Sequence, residues 1–119
     1  MSPEAPWRVR VEDITAAVRR VLEYTSGMTQ EEFFGDQKTI DAVVRNIEII
    51  GEAARRVPEA IQTRAPEVAW AQMRGMRNVV IHEYDIVDVE IVWQTVQEDL
   101  PSLVEPLERL LSEQQDDEG

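Results

Sequence analysis

The chain has 119 residues, of which 43% are hydrophobic and 30% are charged, and its formal net charge is -12. This length fits about one domain, and the apolar content is too high for a disordered chain. Cysteine is absent, which excludes disulfides, thiolate metal sites and cysteine nucleophiles. No apolar run approaches the roughly 20 residues of a membrane helix, and the polar N-terminus lacks a signal-peptide core, so we expect a cytoplasmic protein.

The acidic charge is concentrated at the C-terminal end. Residues 1–36 carry a net charge of -3, residues 37–81 carry +2 and residues 82–119 carry -11. General nucleic-acid binders usually present a basic surface, so this balance argues against that class. The acidic third either keeps the protein soluble, repels RNA or attracts a basic partner, and the sequence leaves these alternatives open.

Helical periodicity covers nearly the whole chain. The first predicted helix has its apolar face at Val11, Ile14, Val18, Val21 and Leu22. Gly27 marks its end. Thr29 and Glu32 then have the spacing of a capping box. This pattern predicts a short helical turn that buries both Phe33 and Phe34.

The second long helix is predicted from Asp36, as its N-cap, to a stop at Pro58. Its apolar face consists of Ile40, Val43, Val44, Ile47, Ile50, Ala54 and Val57. Gly51 falls inside this helix at a cost of about 1 kcal/mol relative to alanine. We therefore expect another helix to approach closely at Gly51.

Two further helical regions complete the prediction. Residues 65–67, Ala-Pro-Glu, favour the start of a third helix, whose buried stripe is Trp70, Met73, Met76 or Arg77, and Val80. A last region starts near Asp88, with a kink or break at Pro101. Its stripe is Val89, Val92, Trp93, Val96, Leu100, Leu103, Leu107 and Leu110. The sequence thus predicts an all-α, up-and-down bundle of four or five helices, one domain over residues 1–119 with a polar acidic tail at 114–119.

The segment of residues 77–84, Arg-Asn-Val-Val-Ile-His-Glu-Tyr, holds the only histidine in the chain. Histidine transfers protons near neutral pH, and an arginine guanidinium binds phosphate oxygens in a bidentate way. RNA carries its own nucleophile, the 2′-hydroxyl. His82 is therefore a candidate base or acid, and Arg77 a candidate stabiliser of charge on the phosphoryl oxygens. Asn78 is placed to orient the imidazole or bond a phosphate oxygen, and Tyr84 to position a phosphate.

Regular helix geometry does not bring Arg77 and His82 together, because residues five apart diverge by about 140°. Asn78 and His82, four apart, would share a face, as would Arg77 and Tyr84. Either the helix ends near His82 or a second subunit completes the cleft. The structural alternatives also stay open: a lone histidine often caps or packs a helix end, and Arg77 can simply pair with Glu83 or Asp85. A zinc site is a poor fit to one histidine without cysteine, and we expect neither a metal nor another cofactor.

Four ordered blocks, spread over roughly residues 8–112, resemble the HepT-like branch of the HEPN superfamily. Residues 75–84, Gly-Met-Arg-Asn-Val-Val-Ile-His-Glu-Tyr, resemble the family motif. The Pro-x-x-x-Trp of residues 66–70 precedes the motif, and residues 91–101, Ile-Val-Trp-Gln-Thr-Val-Gln-Glu-Asp-Leu-Pro, follow it in the family manner. Residues 49–54, Ile-Ile-Gly-Glu-Ala-Ala, resemble the family's second-helix segment.

The resemblance implies a helical bundle that forms a homodimer, with the Arg-x4-His motifs of two subunits near a shared cleft. It implies a metal-independent endoribonuclease, the toxin of a type VII-like toxin–antitoxin system, in which Arg77 and His82 match the catalytic pair. The implied partner is a nucleotidyltransferase antitoxin of the MNT type, which would transfer AMP onto Tyr84. The added negative charge would repel an RNA backbone. The alternative is a non-catalytic helical module that only binds the nucleotidyltransferase.

Overall fold

A computed structural model describes residues 6–81 and 86–117, with side chains described up to residue 113. Within these residues the chain forms seven α-helices and no β-strand: α1 (Pro6–Thr25), α2 (Gln30–Phe34), α3 (Gln37–Arg55), α4 (Glu59–Gln62), α5 (Trp70–Val80), α6 (Val89–Gln94) and α7 (Val104–Asp117). The predicted all-α bundle is confirmed. The count exceeds four or five because α2 and α4 are single turns in the connections. No helix in the described part of the chain combines the length and apolar content of a membrane span.

The core forms where α3 packs between α1 and α5, while α7 packs against α1. The fully buried side chains include Ile14 and Val18 of α1, Ile47 and Ile50 of α3, Met73 of α5 and Leu107 of α7. These residues belong to the predicted apolar faces, and those faces are therefore confirmed. Helix α3 thus contacts both α1 and α5, the helix that carries Arg77.

The short helix α2 buries one aromatic ring instead of the predicted two. Phe33 is fully buried and lies against Trp93, with 5.1 Å between the ring centroids. Phe34 is only partly buried at the edge of the core. The physical reason is helix geometry, because consecutive residues point about 100° apart and one turn cannot face the core with both.

Local capping signals in the sequence are confirmed. The Thr29 hydroxyl accepts the Glu32 backbone N–H at 3.1 Å, and the Glu32 carboxylate accepts the Thr29 N–H at 2.8 Å. Asp36 caps α3 by accepting the backbone N–H of Thr39 at 3.0 Å. The helix ends at Arg55, shortly before the predicted stop, and Pro58 instead forms the N-cap of α4. Each signal acts within four residues, so tertiary packing has little opportunity to override it.

Gly51 lies where α3 comes close to the backbone of α5. A Cβ atom at this position would stand 3.3 Å from the backbone oxygen of Met73. That distance is tight, and the neighbour is a helix carbonyl that cannot rotate away. The expected close approach at this glycine is confirmed.

Helix α5 begins later than the sequence predicted. The Ala-Pro-Glu segment at residues 65–67 forms a turn, and α5 starts at Trp70. The carbonyl of Ala65 accepts the indole N–H of Trp70 at 3.0 Å and the backbone N–H of Val68 at 3.1 Å. The Ala65 carbonyl therefore belongs to a local turn ahead of the helix. The tryptophan of the Pro-x-x-x-Trp block therefore stabilises the turn that precedes α5, through its hydrogen bond to Ala65.

The predicted break at Pro101 is confirmed, and the backbone shows its mechanism. Residues Thr95–Asp99 widen into a π-helical turn, in which the Leu100 N–H donates to the Thr95 carbonyl at 3.1 Å. A short 3-10 turn, Pro101–Leu103, follows before α7 begins. Proline has no N–H and collides with the preceding turn of a regular helix, so the helix widens ahead of it. Helix α7 then includes the first four residues of the predicted tail.

The cap at Asp36 should make stability depend on acid pH. The Thr39 backbone and hydroxyl hydrogen bonds lower the pKa of Asp36. Since the folded state disfavours protonation, the cap contributes fully above the unfolded-state pKa and is lost as pH falls through the folded one, below about pH 4. Asp36→Asn keeps a capping oxygen but removes the titration, so its unfolding free energy should fall less with acid. Urea unfolding at about pH 3 and pH 5 tests this; parallel losses in both proteins would contradict it.

Candidate active site

Arg77 lies in the last turn of α5, with its side chain 44% exposed. The helix ends at Val80, and Ile81 has extended backbone angles, φ -115° and ψ 115°. The end of α5 thus falls between the arginine and the histidine of the motif. Of the two sequence-based explanations for their spacing, a helix end near His82 is confirmed.

The segment that follows α5 is held at both ends. Ile81 forms an antiparallel bridge with Val87, and the Asp88 N–H donates to the Val80 carbonyl at 2.9 Å. Residues 80–81 and 87–88 therefore lie side by side at the end of α5. His82 and Tyr84 belong to this segment and lie outside the described residues, together with Glu83 and Asp85.

Asn78 lies exposed in the same turn as Arg77. The 100° rotation per residue of α5 ends at Val80, because Ile81 has extended backbone angles. The two faces considered for a regular helix, Asn78 with His82 and Arg77 with Tyr84, each include a residue outside the described part of the chain.

Arg77 forms an ion pair with Glu48 of α3, a partner that the sequence did not reveal. The Nε of Arg77 lies 3.4 Å from the Oε2 of Glu48, whose side chain is 33% exposed. The distance is at the long end for a hydrogen bond, and an exposed ion pair stabilises a protein by only about 0–1 kcal/mol. This pair by itself therefore orients the guanidinium only weakly, and the side chain is partly exposed to solvent.

Arg77 also lines a cleft of about 310 Å³ that runs along α1 and α3. The lining residues are Arg10, Asp13, Arg45, Glu48, Ile49, Glu52, Ala53, Arg56 and Arg77. The set contains four arginines and three acids, so the cleft carries a net positive charge within an acidic protein. The sequence does hold a signal for it: residues 45, 48, 52 and 56 recur at three- and four-residue steps along α3.

Apolar side chains border the other side of the motif. Val79 is 51% exposed and Ile86 is 62% exposed, and the two flank the segment that carries His82 and Tyr84. A large aliphatic side chain gains free energy when another surface covers it. The end of α5 therefore presents a cationic side toward the cleft and an apolar side toward solvent.

These features define a class of protein: a helical bundle of the HEPN type, with the arginine of an Arg-x4-His motif in the last turn of a helix and the histidine in the sequence that follows it. The family model "Ribonuclease HepT-like" matches residues 14–110. The chain belongs to the HepT-like ribonuclease family.

Three relatives match this chain over most of their own length. The probable ribonuclease HepT of Thermococcus cleftensis is 43% identical over 100 residues, which cover 84% of this chain and 91% of the relative. A candidate RNase of Methanocaldococcus jannaschii is 32% identical over 111 residues, 93% of this chain and 92% of the relative. A candidate RNase of Caldanaerobacter subterraneus is 32% identical over 107 residues, 90% and 96% of the two chains. No solved structure is a significant match.

Proposed function

We propose that the chain is a metal-independent endoribonuclease that cleaves RNA in the cytoplasm with Arg77 and His82. The observation that carries the proposal is the end of α5 at Val80, one turn after the exposed Arg77. The sequence that contains His82 follows directly, between the bridged residues Ile81 and Val87. Membership of the HepT-like family and relatives named as ribonucleases support the same activity. The proposed catalytic roles of Arg77 and His82 are those of the arginine and the histidine in the family's Arg-x4-His motif.

The chemistry needs RNA, the side chains and water. The 2′-hydroxyl loses its proton to a base and attacks the adjacent phosphorus, while the bond from phosphorus to the 5′-oxygen breaks and that oxygen gains a proton. The products are a 2′,3′-cyclic phosphate and a 5′-hydroxyl. His82 carries one of the two protons, as base or acid, and water carries the other, while Arg77 stabilises the charge on the equatorial phosphoryl oxygens. Asn78 and Tyr84 support substrate binding.

We further propose that the protein is the toxin of a two-gene system, acts as a homodimer and is controlled by an MNT-type nucleotidyltransferase antitoxin. Tyr84 is the proposed acceptor of AMP. It follows His82 by two residues, between the bridged positions Ile81 and Val87. A phosphodiester on this tyrosine would add negative charge beside Arg77 and compete with RNA for the guanidinium.

Expression of the protein alone in bacteria should arrest growth, and co-expression with the nucleotidyltransferase should relieve the arrest. Intact-mass measurement after co-expression should show an AMP-sized increase that disappears in Tyr84→Phe. The Tyr84→Phe protein should remain toxic in the presence of the antitoxin. Normal growth and uncut total RNA after wild-type expression would count against the ribonuclease, whereas relief of toxicity without a mass change would count against the tyrosine as acceptor.

A second candidate function is a non-catalytic module that binds the nucleotidyltransferase. The exposed Val79 and Ile86 beside the motif favour it, because apolar side chains at a surface are suited to a protein contact. In this case Tyr84 would be modified but total RNA would stay intact. The RNA assay therefore separates the two functions.

A further inference from the structure

We propose that the cleft along α1 and α3 binds the backbone of the RNA substrate, with Arg45 and Arg56 as phosphate contacts that position the strand at Arg77. The inference rests on the proposed ribonuclease function and deepens it, because it names the surface that holds the strand next to the reacting phosphate. It assigns a role to residues that lie outside the Arg-x4-His motif.

Charge distribution is the first argument. The chain contains twelve lysines and arginines against twenty-four acids. Four of the twelve line this one cleft, where three acids face them. RNA binding depends on local positive potential, and this cleft is a surface where an acidic protein offers it next to the proposed catalytic arginine.

The spacing of the two arginines on α3 is the second argument. Arg45 and Arg56 are eleven residues apart. Their directions around the helix axis therefore differ by only about 20°, which places them on one face, and they are separated by about 16 Å along the axis. Glu48, which contacts Arg77, falls between them in register. A strand laid along this face would therefore meet a cation before and after the site of cleavage.

Both arginines on this face of α3 are exposed to solvent. Arg45 is exposed and makes no hydrogen bond or ion pair with another described residue. Arg56 pairs with Glu52 at 3.1 Å, one helical turn away, and both side chains are more than half exposed. Such a pair is weak, and a guanidinium binds phosphate through two parallel hydrogen bonds. Both side chains are therefore available to a phosphodiester strand.

The three acids that line the cleft should weaken its affinity for RNA. Asp13, Glu48 and Glu52 oppose an incoming polyanion, so the binding of a strand here should be modest and sensitive to salt. Removing one of these charges should strengthen RNA binding. A damaged fold cannot produce such a gain, which makes it a useful second test.

The test measures binding of a short 2′-O-methyl RNA strand, which lacks the nucleophilic hydroxyl and cannot be cleaved by the proposed route. Fluorescence anisotropy is followed against salt for wild type and for the double variant Arg45→Ala/Arg56→Ala. The expected result is an affinity loss of about tenfold or more, with a salt slope lower by about 1.4, which corresponds to two phosphate contacts on a single strand. Glu52→Gln should bind more tightly than wild type.

The matched control is Arg19→Ala/Arg109→Ala, which changes the net charge by the same amount. These arginines pair with Glu108 and Glu67 on the surface, outside the cleft. Wild-type affinity in the Arg45/Arg56 variant, a loss of equal size in the control, or a changed oligomeric state in the Arg45/Arg56 variant would overturn the cleft assignment. If wild type binds through the cleft but leaves unmodified RNA uncut, the cleavage mechanism fails while the cleft stands. If wild type neither binds nor cuts RNA, both proposals fail.

Discussion

Arg77→Ala should lower RNA cleavage by at least about 100-fold, because the guanidinium stabilises charge that develops on the phosphoryl oxygens. The same change should leave the fold intact. The Arg77 side chain is 44% exposed, and its described ion pair with Glu48 is long and solvent-accessible. Loss of such a pair changes the free energy of unfolding by about 0–1 kcal/mol. The variant should therefore melt like wild type while losing activity.

His82→Ala should lower cleavage by about 10²- to 10⁴-fold, the usual contribution of a positioned general acid or base. Initial rates on a labelled RNA, with thermal unfolding followed by circular dichroism, measure both effects. Arg109→Ala is the matched control for Arg77, because it removes an exposed arginine that pairs with Glu67 on another surface. Cleavage near the wild-type rate in either motif variant would contradict the catalytic assignment.

Gly51→Val is expected to destabilise the protein by about 1–3 kcal/mol, the range of overpacked sites. The first added carbon would already lie 3.3 Å from the Met73 carbonyl, and valine adds two methyl groups to it. The backbone of α5 must then move away from α3. Because Arg77 and Glu48 lie on these two helices, the displacement should also reduce cleavage.

Gly75→Ala provides the matched control for that substitution. Gly75 lies in the interior of α5, and a Cβ there would meet nothing within 4 Å. Alanine should therefore stabilise the helix by about 0.5–1 kcal/mol, since glycine loses more conformational freedom on folding. Urea unfolding of both variants measures the contrast. Equal stability of Gly51→Val and wild type would contradict the close approach of α3 and α5.

Local rules account for the part of the fold that the sequence predicted. Thr29 and Asp36 cap their helices through side chains that reach backbone N–H groups three residues on. Pro101 breaks the helix because a proline in a helix interior lacks the N–H for the helical hydrogen bond and its ring collides with the preceding turn. The apolar faces of α1, α3 and α5 follow from a 3.6-residue period, which needs no knowledge of partners.

Tertiary contacts account for the part that the sequence did not predict. Ala65 and Pro66 have the composition of a helix start, yet α5 begins only at Trp70. The Ala65 carbonyl instead accepts a hydrogen bond from the Trp70 indole in a turn ahead of the helix. Glu48 became a partner of Arg77 only because α3 and α5 pack side by side. The four-arginine cleft joins residues from α1, α3 and α5, and no local pattern connects these three stretches. The family resemblance singled out Arg77, His82 and Tyr84 as candidates, whereas the cleft beside Arg77 could be found only from coordinates.

The acidic C-terminal third has a structural use that the sequence alternatives did not include. Glu108 of α7 pairs with Arg19 of α1. Arg109 pairs with Glu67 ahead of α5. Both pairs join α7 to the rest of the bundle, and none of their four residues lines the cleft.

Cleavage of RNA by the purified protein in the presence of EDTA tests the central claim most directly. The mechanism predicts cut RNA with 5′-hydroxyl and 2′,3′-cyclic phosphate ends, and no cleavage where a 2′-deoxynucleotide replaces the nucleotide at the cut site. Both results follow from attack by the 2′-hydroxyl with side chains as proton carriers. Uncut RNA, a requirement for a divalent cation, or cleavage of the deoxy-substituted strand would contradict it.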